Sequence, residues 1–262
     1  MRLRGYPDFC PKPMVPIGHR PILWHIMKYY AYFGHKDFIL CLGWKAKEIK
    51  EYFLNYDECI SNDFVLSSGG TDIELLSTDI QDWKITFVDT GTTSKIGERL
   101  RAVEPHLRHE QAFLANYADG LTNLFLPDLI DFFYKKNTIA TFLSVQPHYN
   151  SFHAISTNES GLVGDIEPIN NMNIWMNGGF FMFTPQIFDY LNEGEELVEE
   201  PFKRLIAKKK LHAFKYDGFW ACMDTFKEKE MLEEMFASGN APWEIWSRSN
   251  LANVSSVVGD PS

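Results

Sequence analysis

The 262-residue sequence predicts an α/β fold in which helices flank a sheet. Short apolar runs that end in glycine or aspartate alternate with blocks whose apolar residues recur at helical spacing. Hydrophobic residues make up 45% of the chain and aromatics 15%, with 21 Phe, 11 Tyr and 7 Trp, which is enough for a packed core. The length suits one large domain.

Residues 1–18 carry Pro7, Pro11, Pro13 and Pro16, which block a regular element. Apolar spacing over 20–33 predicts a helix, opened by Pro21 and closed by Gly34. The run from Asp37 to Leu42, closed by Gly43, reads as a buried strand, and 45–56 as an amphipathic helix. Residues 57–83 are polar and mixed, with a turn at Gly69–Gly70. A strand over 84–90 and a helix over 97–108 follow, then a strand over 112–118 that runs into Asp119–Gly120. Next come a helix over 127–136 started by Pro127, a buried strand over 138–145, and a hairpin of 152–157 with 162–167 around Asn158–Gly161. A strand over 174–184 is interrupted at Asn177, Gly178 and Gly179. Helices over 185–193 and 201–210, a strand over 212–217, a loop through Asp224 and a helix over 225–237 complete the domain.

Composition narrows the function. Acidic residues number 35 against 25 basic ones, a net charge of −10, which disfavours nucleic acid as a partner. No apolar run approaches the ~20 residues of a membrane span, and no secretory apolar stretch follows Met1. Cys10, Cys41, Cys59 and Cys222 form no C-x-x-C pair, so they read as reduced thiols of a cytoplasmic protein rather than a disulfide frame or zinc site. The eight histidines lack H-x-x-x-H and H-E-x-x-H spacing, and G-x-S-x-G is absent.

Asp119 is the most informative residue, because it ends an apolar strand and precedes a glycine. Ligands of open α/β sheets bind beyond the carboxyl ends of strands. Asp224 ends the aromatic stretch from Gly218, and two distant carboxylates suit Mg²⁺, although either aspartate alone reads more simply as a helix cap. Lys12 stands between Pro11 and Pro13, which would present its ammonium from a stiff arm; by itself it is an ordinary solvated lysine. Arg99 follows Gly97 at a helix start, where anions bind. Asn177-Gly-Gly179 inside a strand suggests a ligand against the backbone or a β-bulge. Lys208 to Lys210 read as a solvated helix end.

In order, Arg2-Leu3, Pro11-Lys-Pro-Met14 and Gly18-x-x-Pro-Ile22-Leu-Trp-His-Ile-Met-Lys28 resemble the sugar-1-phosphate nucleotidylyltransferases, above all their glucose-1-phosphate cytidylyltransferase branch. The resemblance continues through Ile49-Lys-Glu-Tyr-Phe53, Val88-Asp-Thr-Gly91, Gly97-x-Arg-Leu100, Tyr117-x-Asp-Gly120, Asn177-Gly-Gly-Phe-Phe181, Gly218-Phe-Trp220, Met223-Asp-Thr225 and Ala241-Pro-Trp243. It implies a Rossmann-like mixed, mostly parallel sheet flanked by helices, in a domain over 1–247 with a mobile C-terminal tail over 248–262. The implied reaction joins a nucleoside triphosphate, CTP, to a sugar 1-phosphate, glucose 1-phosphate, and releases pyrophosphate. Such chemistry feeds nucleotide-sugar biosynthesis, including that of polysaccharide O-antigen.

By the same resemblance Asp119 and Asp224 hold Mg²⁺, and Arg2 and Lys12 meet the triphosphate. Gly97 and Arg99 meet the nucleotide, while Tyr117, Glu167, Asn177 and Gly178 meet the sugar phosphate. Family members are commonly oligomers, and aromatic-rich segments 149–184 and 219–246 are the expected surfaces of a homo-oligomer. Two departures qualify the match. The family opens with a strand and a G-G-x-G-x-R-L loop, whereas this sequence starts at Met1-Arg2-Leu3 inside that loop, so the first strand is expected to be absent and activity and stability reduced. The family's Glu-Lys-Pro is Glu167-Pro168-Ile169 here, which predicts weaker sugar-phosphate binding or a different sugar. A weak or inactive homologue serving as a nucleotide-binding or regulatory module is the rival expectation.

Overall fold

Proline governs the first described turn. Pro11 and Pro13 restrict the backbone around a 3-10 turn, Lys12–Met14, in which Met14 N donates to Pro11 O at 2.8 Å. Residues 10–76, 79–146, 153–169 and 172–247 of this computed structural model are described. Arg2 and the segment 248–262 therefore lie outside the described residues, as do parts of 149–184.

A two-residue ladder pairs β1 (Pro16–Ile17) with β2 (Arg20–Pro21) around Gly18, whose φ of 61° favours glycine. Helix α1 (Ile22–Tyr32) starts beyond Pro21, as the spacing predicts, and nearly all its residues are buried, so it is a central helix. Then come β3 (Asp37–Leu42), α2 (Ala46–Leu54) and the short α3 (Glu58–Ser61). The mixed segment 57–83 also contains an unexpected hairpin of β4 (Phe64–Ser67) with β5 (Asp72–Leu75), turning at Ser68–Gly70. Its residues are mostly exposed, so no burial contrast marks its strands in the sequence.

Strand β6 (Lys84–Asp89) pairs in parallel with β3 over six residues. The helix expected over 97–108 is two helices, α4 (Ile96–Ala102) and α5 (Glu104–Leu107), divided before Pro105. The strand expected over 112–118 stops early as β7 (Phe113–Ala115), and Gly120–Thr122 form a separate strand, β8. After α6 (Leu126–Lys136) come β9 (Ala140–Val145), the hairpin β10 (His153–Thr157) and β11 (Val163–Pro168), and the split strand β12 (Met176–Asn177) and β13 (Phe181–Phe183). Pro185–Tyr190 is a 3-10 turn rather than the expected α-helix. It is followed by α7 (Glu200–Ala207), β14 (Leu211–Tyr216), β15 (Trp220–Cys222) and α8 (Phe226–Ala237).

The fold is α/β with mixed sheets. β9 is central in the main sheet, parallel to β14 and antiparallel to β12 and β13, while β7 pairs with β13. Among the described residues the β3–β6 ladder and this five-stranded sheet are not hydrogen-bonded to each other. Consequently β3 buries only Leu42, whereas the expected buried strand is realised in β9, five of whose six residues are buried. One core cluster joins α1, β8, Met223 and Trp243; a second joins β7, β9, β13 and α7. A small third cluster, Leu23, Met27, Leu42 and Ile49, fastens the β3 layer to α1.

Candidate active site

The site grows from the two short strands that periodicity missed. β8 and β15 pair antiparallel with Gly120 opposite Cys222, and Met223 N donates to Asp119 O at 2.9 Å. That register brings Asp119 beside the Met223–Asp224 corner although 104 positions separate Asp119 and Met223 (223 minus 119). Neither aspartate is a helix cap. Asp119 leads into a strand, and α8 is capped by Thr225, with Glu228 closing a capping box. Glu228 Oε2 accepts from Asp224 N at 2.7 Å and Thr225 N at 2.8 Å, which leaves the Asp224 carboxylate for the site.

Lys12 reaches both carboxylates. Its Nζ donates to Asp119 Oδ2 at 2.7 Å and to Asp224 Oδ1 at 2.5 Å. Lys12 is 1% exposed and Asp119 7%, so this contact is buried at one end and opens to solvent at Asp224. Burial disfavours the Lys12 ammonium, but the two aspartates outweigh it and raise its pKa above the usual lysine value. The reading of Lys12 as an ordinary solvated lysine is therefore replaced. Lys12, Asp119 and Asp224 together carry −1, the neighbouring Glu228 adds a further negative charge, and the end at Asp224 is open to solvent. Oxygen donors of this kind fit a hard divalent ion.

Cys222 lies at the same corner. Its Sγ, an Asp224 oxygen and a Glu228 oxygen all lie within 4.8 Å of one another. Burial first, then Asp224 and Glu228, push the thiol up to about 12, so at neutral pH it is protonated and a poor nucleophile.

Arg99 braces the ends of β3 and β6. Arg99 Nη1 donates to Thr90 Oγ1 at 2.8 Å and to Leu42 O at 3.3 Å, tying together the ends of β3 and β6. A Cβ on Gly43 would sit 2.7 Å from that nitrogen, so Gly43 keeps the space Arg99 fills. Gly97 is buried, and a Cβ there would lie 2.6 Å from Glu195 O. Because the obstacle is backbone, Gly97→Ala is expected to cost about 1–3 kcal/mol, read as a lower urea midpoint with unchanged slope. An unchanged midpoint would mean that the 194–197 loop yields freely.

Tyr117, Asn177 and Gly178 gather where the strand β12–β13 is interrupted. Asn177 Nδ2 donates to Tyr117 Oη at 3.1 Å, Asn177 Oδ1 accepts from Gly179 N at 3.0 Å, and Gly178 O accepts from Trp220 Nε1 at 2.8 Å. Gly179, at φ 75°, lies against Asn116 and Tyr117, where a Cβ would come within 2.9 Å and 3.0 Å of them. The interruption of the strand thus turns backbone toward Tyr117 and Trp220. Glu167 is not part of this group: it is exposed on β11 opposite Ala154, and among the described residues no hydrogen bond joins it to Tyr117 or Asn177. Sequence reasoning gives no site role to Trp220, which stands only in the Gly218-Phe-Trp220 match, nor to Asn116 and Glu228. Only Glu228 carried a local signal, the Thr-x-x-Glu spacing of a capping box.

No family model matches the chain. It is 38% identical over 237 residues to the glucose-1-phosphate cytidylyltransferase of Salmonella typhimurium, covering 90% of this chain and 91% of that one. A more distant relative is the mannose-1-phosphate guanyltransferase of Yarrowia lipolytica, 22% identical, of which the match covers 59%. Among solved structures, HddC from Yersinia pseudotuberculosis superposes with a TM-score of 0.63 at 16% identity, over 90% of this chain and 94% of that one. A UDP-glucose pyrophosphorylase complexed with UDP-glucose gives a TM-score of 0.60 at 13% identity, over 87% and 91%. The structural likenesses establish the fold and the sequence relationship the family: this chain belongs to the glucose-1-phosphate cytidylyltransferases.

Proposed function

We propose that the protein transfers the cytidylyl group of CTP to glucose 1-phosphate, giving CDP-glucose and pyrophosphate. The 38% identity to a relative of that name, sustained over 90% of the chain, carries this reading. A phosphate oxygen of the sugar phosphate forms the new bond to the α-phosphorus of CTP, and the bond from that phosphorus to the oxygen bridging to the β-phosphate breaks. Pyrophosphate leaves with that oxygen, and no covalent enzyme intermediate is needed.

The task of the protein is to align two anions and to offset charge that builds on the α-phosphate. Asp119 and Asp224 are the residues that would hold Mg²⁺, which when bound neutralises phosphate charge as a Lewis acid. Lys12 supplies a tethered cation whose stem is shielded from water. Arg99 and Gly97 shape the nucleotide side by holding the ends of β3 and β6 and the loop beside them. Tyr117, Asn177 and Gly178 orient the sugar phosphate through the hydroxyl, amide and backbone groups gathered at the interruption of the strand.

Purified protein supplied with CTP, glucose 1-phosphate and Mg²⁺ is expected to release pyrophosphate only when all three are present. UTP, dTTP and GTP are expected to be poorer donors. CTP binding without pyrophosphate release from any sugar 1-phosphate would replace this reading with that of a binding module.

A further inference from the structure

We infer that Lys12 is the resident counter-cation of the Asp119–Asp224 pair, keeping free divalent metal out until a metal-bound nucleotide draws the ammonium to phosphate. The inference rests on the proposed role of those two carboxylates and adds an order of events to it.

The geometry carries the argument. A single Nζ contacts one oxygen of each carboxylate, at 2.7 and 2.5 Å, in the position a bridging cation would take. The ammonium is tethered, so it competes with dissolved ions at a high effective concentration. Its backbone sits in a 3-10 turn flanked by Pro11 and Pro13, with Val15 N bonded to Lys12 O at 3.1 Å, so exchange involves the side chain alone. An ammonium has three N–H donors, and two of those of Lys12 are used on the carboxylates. With Lys12 seated, Lys12, Asp119 and Asp224 together carry −1; with Lys12 withdrawn the two aspartates carry −2, and Glu228 beside Asp224 adds a further negative charge in both cases. A bare divalent ion must displace the ammonium from both carboxylates and brings no anion of its own to receive it. A metal nucleotide brings the phosphate that receives it, so metal entry and Lys12 release become one coupled event.

Mn²⁺ binding, followed by electron paramagnetic resonance without nucleotide, tests this directly. Wild-type protein is expected to bind Mn²⁺ weakly, at about 1 mM or above. Lys12→Gln, which keeps a polar group but no charge, is expected to bind at least about tenfold more tightly. Lys12→Arg, which keeps the charge, is expected to behave like wild type. Thermal melts establish that each variant is folded. Equal Mn²⁺ affinity in wild type and Lys12→Gln would overturn the inference. If Lys12→Gln does not fold, wild type still decides, because submicromolar Mn²⁺ binding in the absence of nucleotide overturns it as well. Adding Asp224→Asn to Lys12→Gln separates the premise from the inference. Loss of the gained affinity supports the assignment of Mn²⁺ to this carboxylate pair, whereas retention overturns that assignment and with it the role given to Lys12.

Discussion

Asp119→Asn is expected to lower kcat/KM by about 10²–10³-fold while leaving the fold intact, the range typical of removing one preorganised electrostatic group. The amide has the shape of the carboxylate and can still accept a hydrogen bond from Lys12, and Met223 N still donates to the residue 119 carbonyl. What disappears is one of two negative charges that offset Lys12 and suit a divalent ion. Asp119→Ala is expected to differ in kind. It leaves the 1%-exposed Lys12 with only the exposed Asp224 as partner, a broken buried pair that costs about 3 kcal/mol. Pyrophosphate release and urea unfolding, measured on both variants, separate the two effects. Wild-type turnover in Asp119→Asn would remove this carboxylate from the mechanism.

Much of the fold is legible because periodicity and punctuation coincide in it. α1 opens after Pro21 and ends before Gly34, β3 closes at Gly43, and the hairpin β10–β11 surrounds Asn158–Gly161, each at positions the residues announce. The two strands that build the site are missed for one reason. β8 and β15 are three residues each, shorter than a period-two pattern can mark, and both are bounded by residues that read as loop. In the sequence Asp119 therefore reads as the end of a long strand and Asp224 as part of a loop, although these strands are what bring the two together.

The types of residue in the site were legible, but their contacts were not. Lys12 lies 107 positions from Asp119 and 212 from Asp224, and no local pattern encodes separations of that size. Family resemblance supplied the roles of all three residues; the ammonium seated between the carboxylates is visible only in three dimensions. Gly97 shows the reverse case. The resemblance assigned it to nucleotide, while packing gives it a second reason to be glycine, the approach of the Glu195 carbonyl.

Below pH 6.5 the protein is expected to lose about 3 kcal/mol of stability through His25 alone, because its folded pKa is lowered from 6.5 to about 4. Burial is the main cause: the residue is 1% exposed in the core around α1. The hydrogen bonds agree with a neutral ring. Nε2 faces Ile17 O at 3.1 Å and so carries the proton, while Nδ1 accepts from Trp243 Nε1 at 3.3 Å. Protonating Nδ1 would set two donors against each other. The unfolded chain binds a proton near pH 6.5 and the folded chain only near 4, so the unfolded state gains as pH falls through that window. Full stability from this group is present above pH 6.5, falls as the pH is lowered, and levels off below about 4. Urea unfolding of wild type and His25→Gln between pH 7 and 4 isolates the effect, since the glutamine amide can still donate to Ile17 O but does not titrate. Wild type is expected to be the more stable at pH 7 and to lose that margin toward pH 4. Parallel stability curves would show that His25 takes up its proton without leaving the core, with Glu244, 3.9 Å from Nδ1, the group placed to receive the charge.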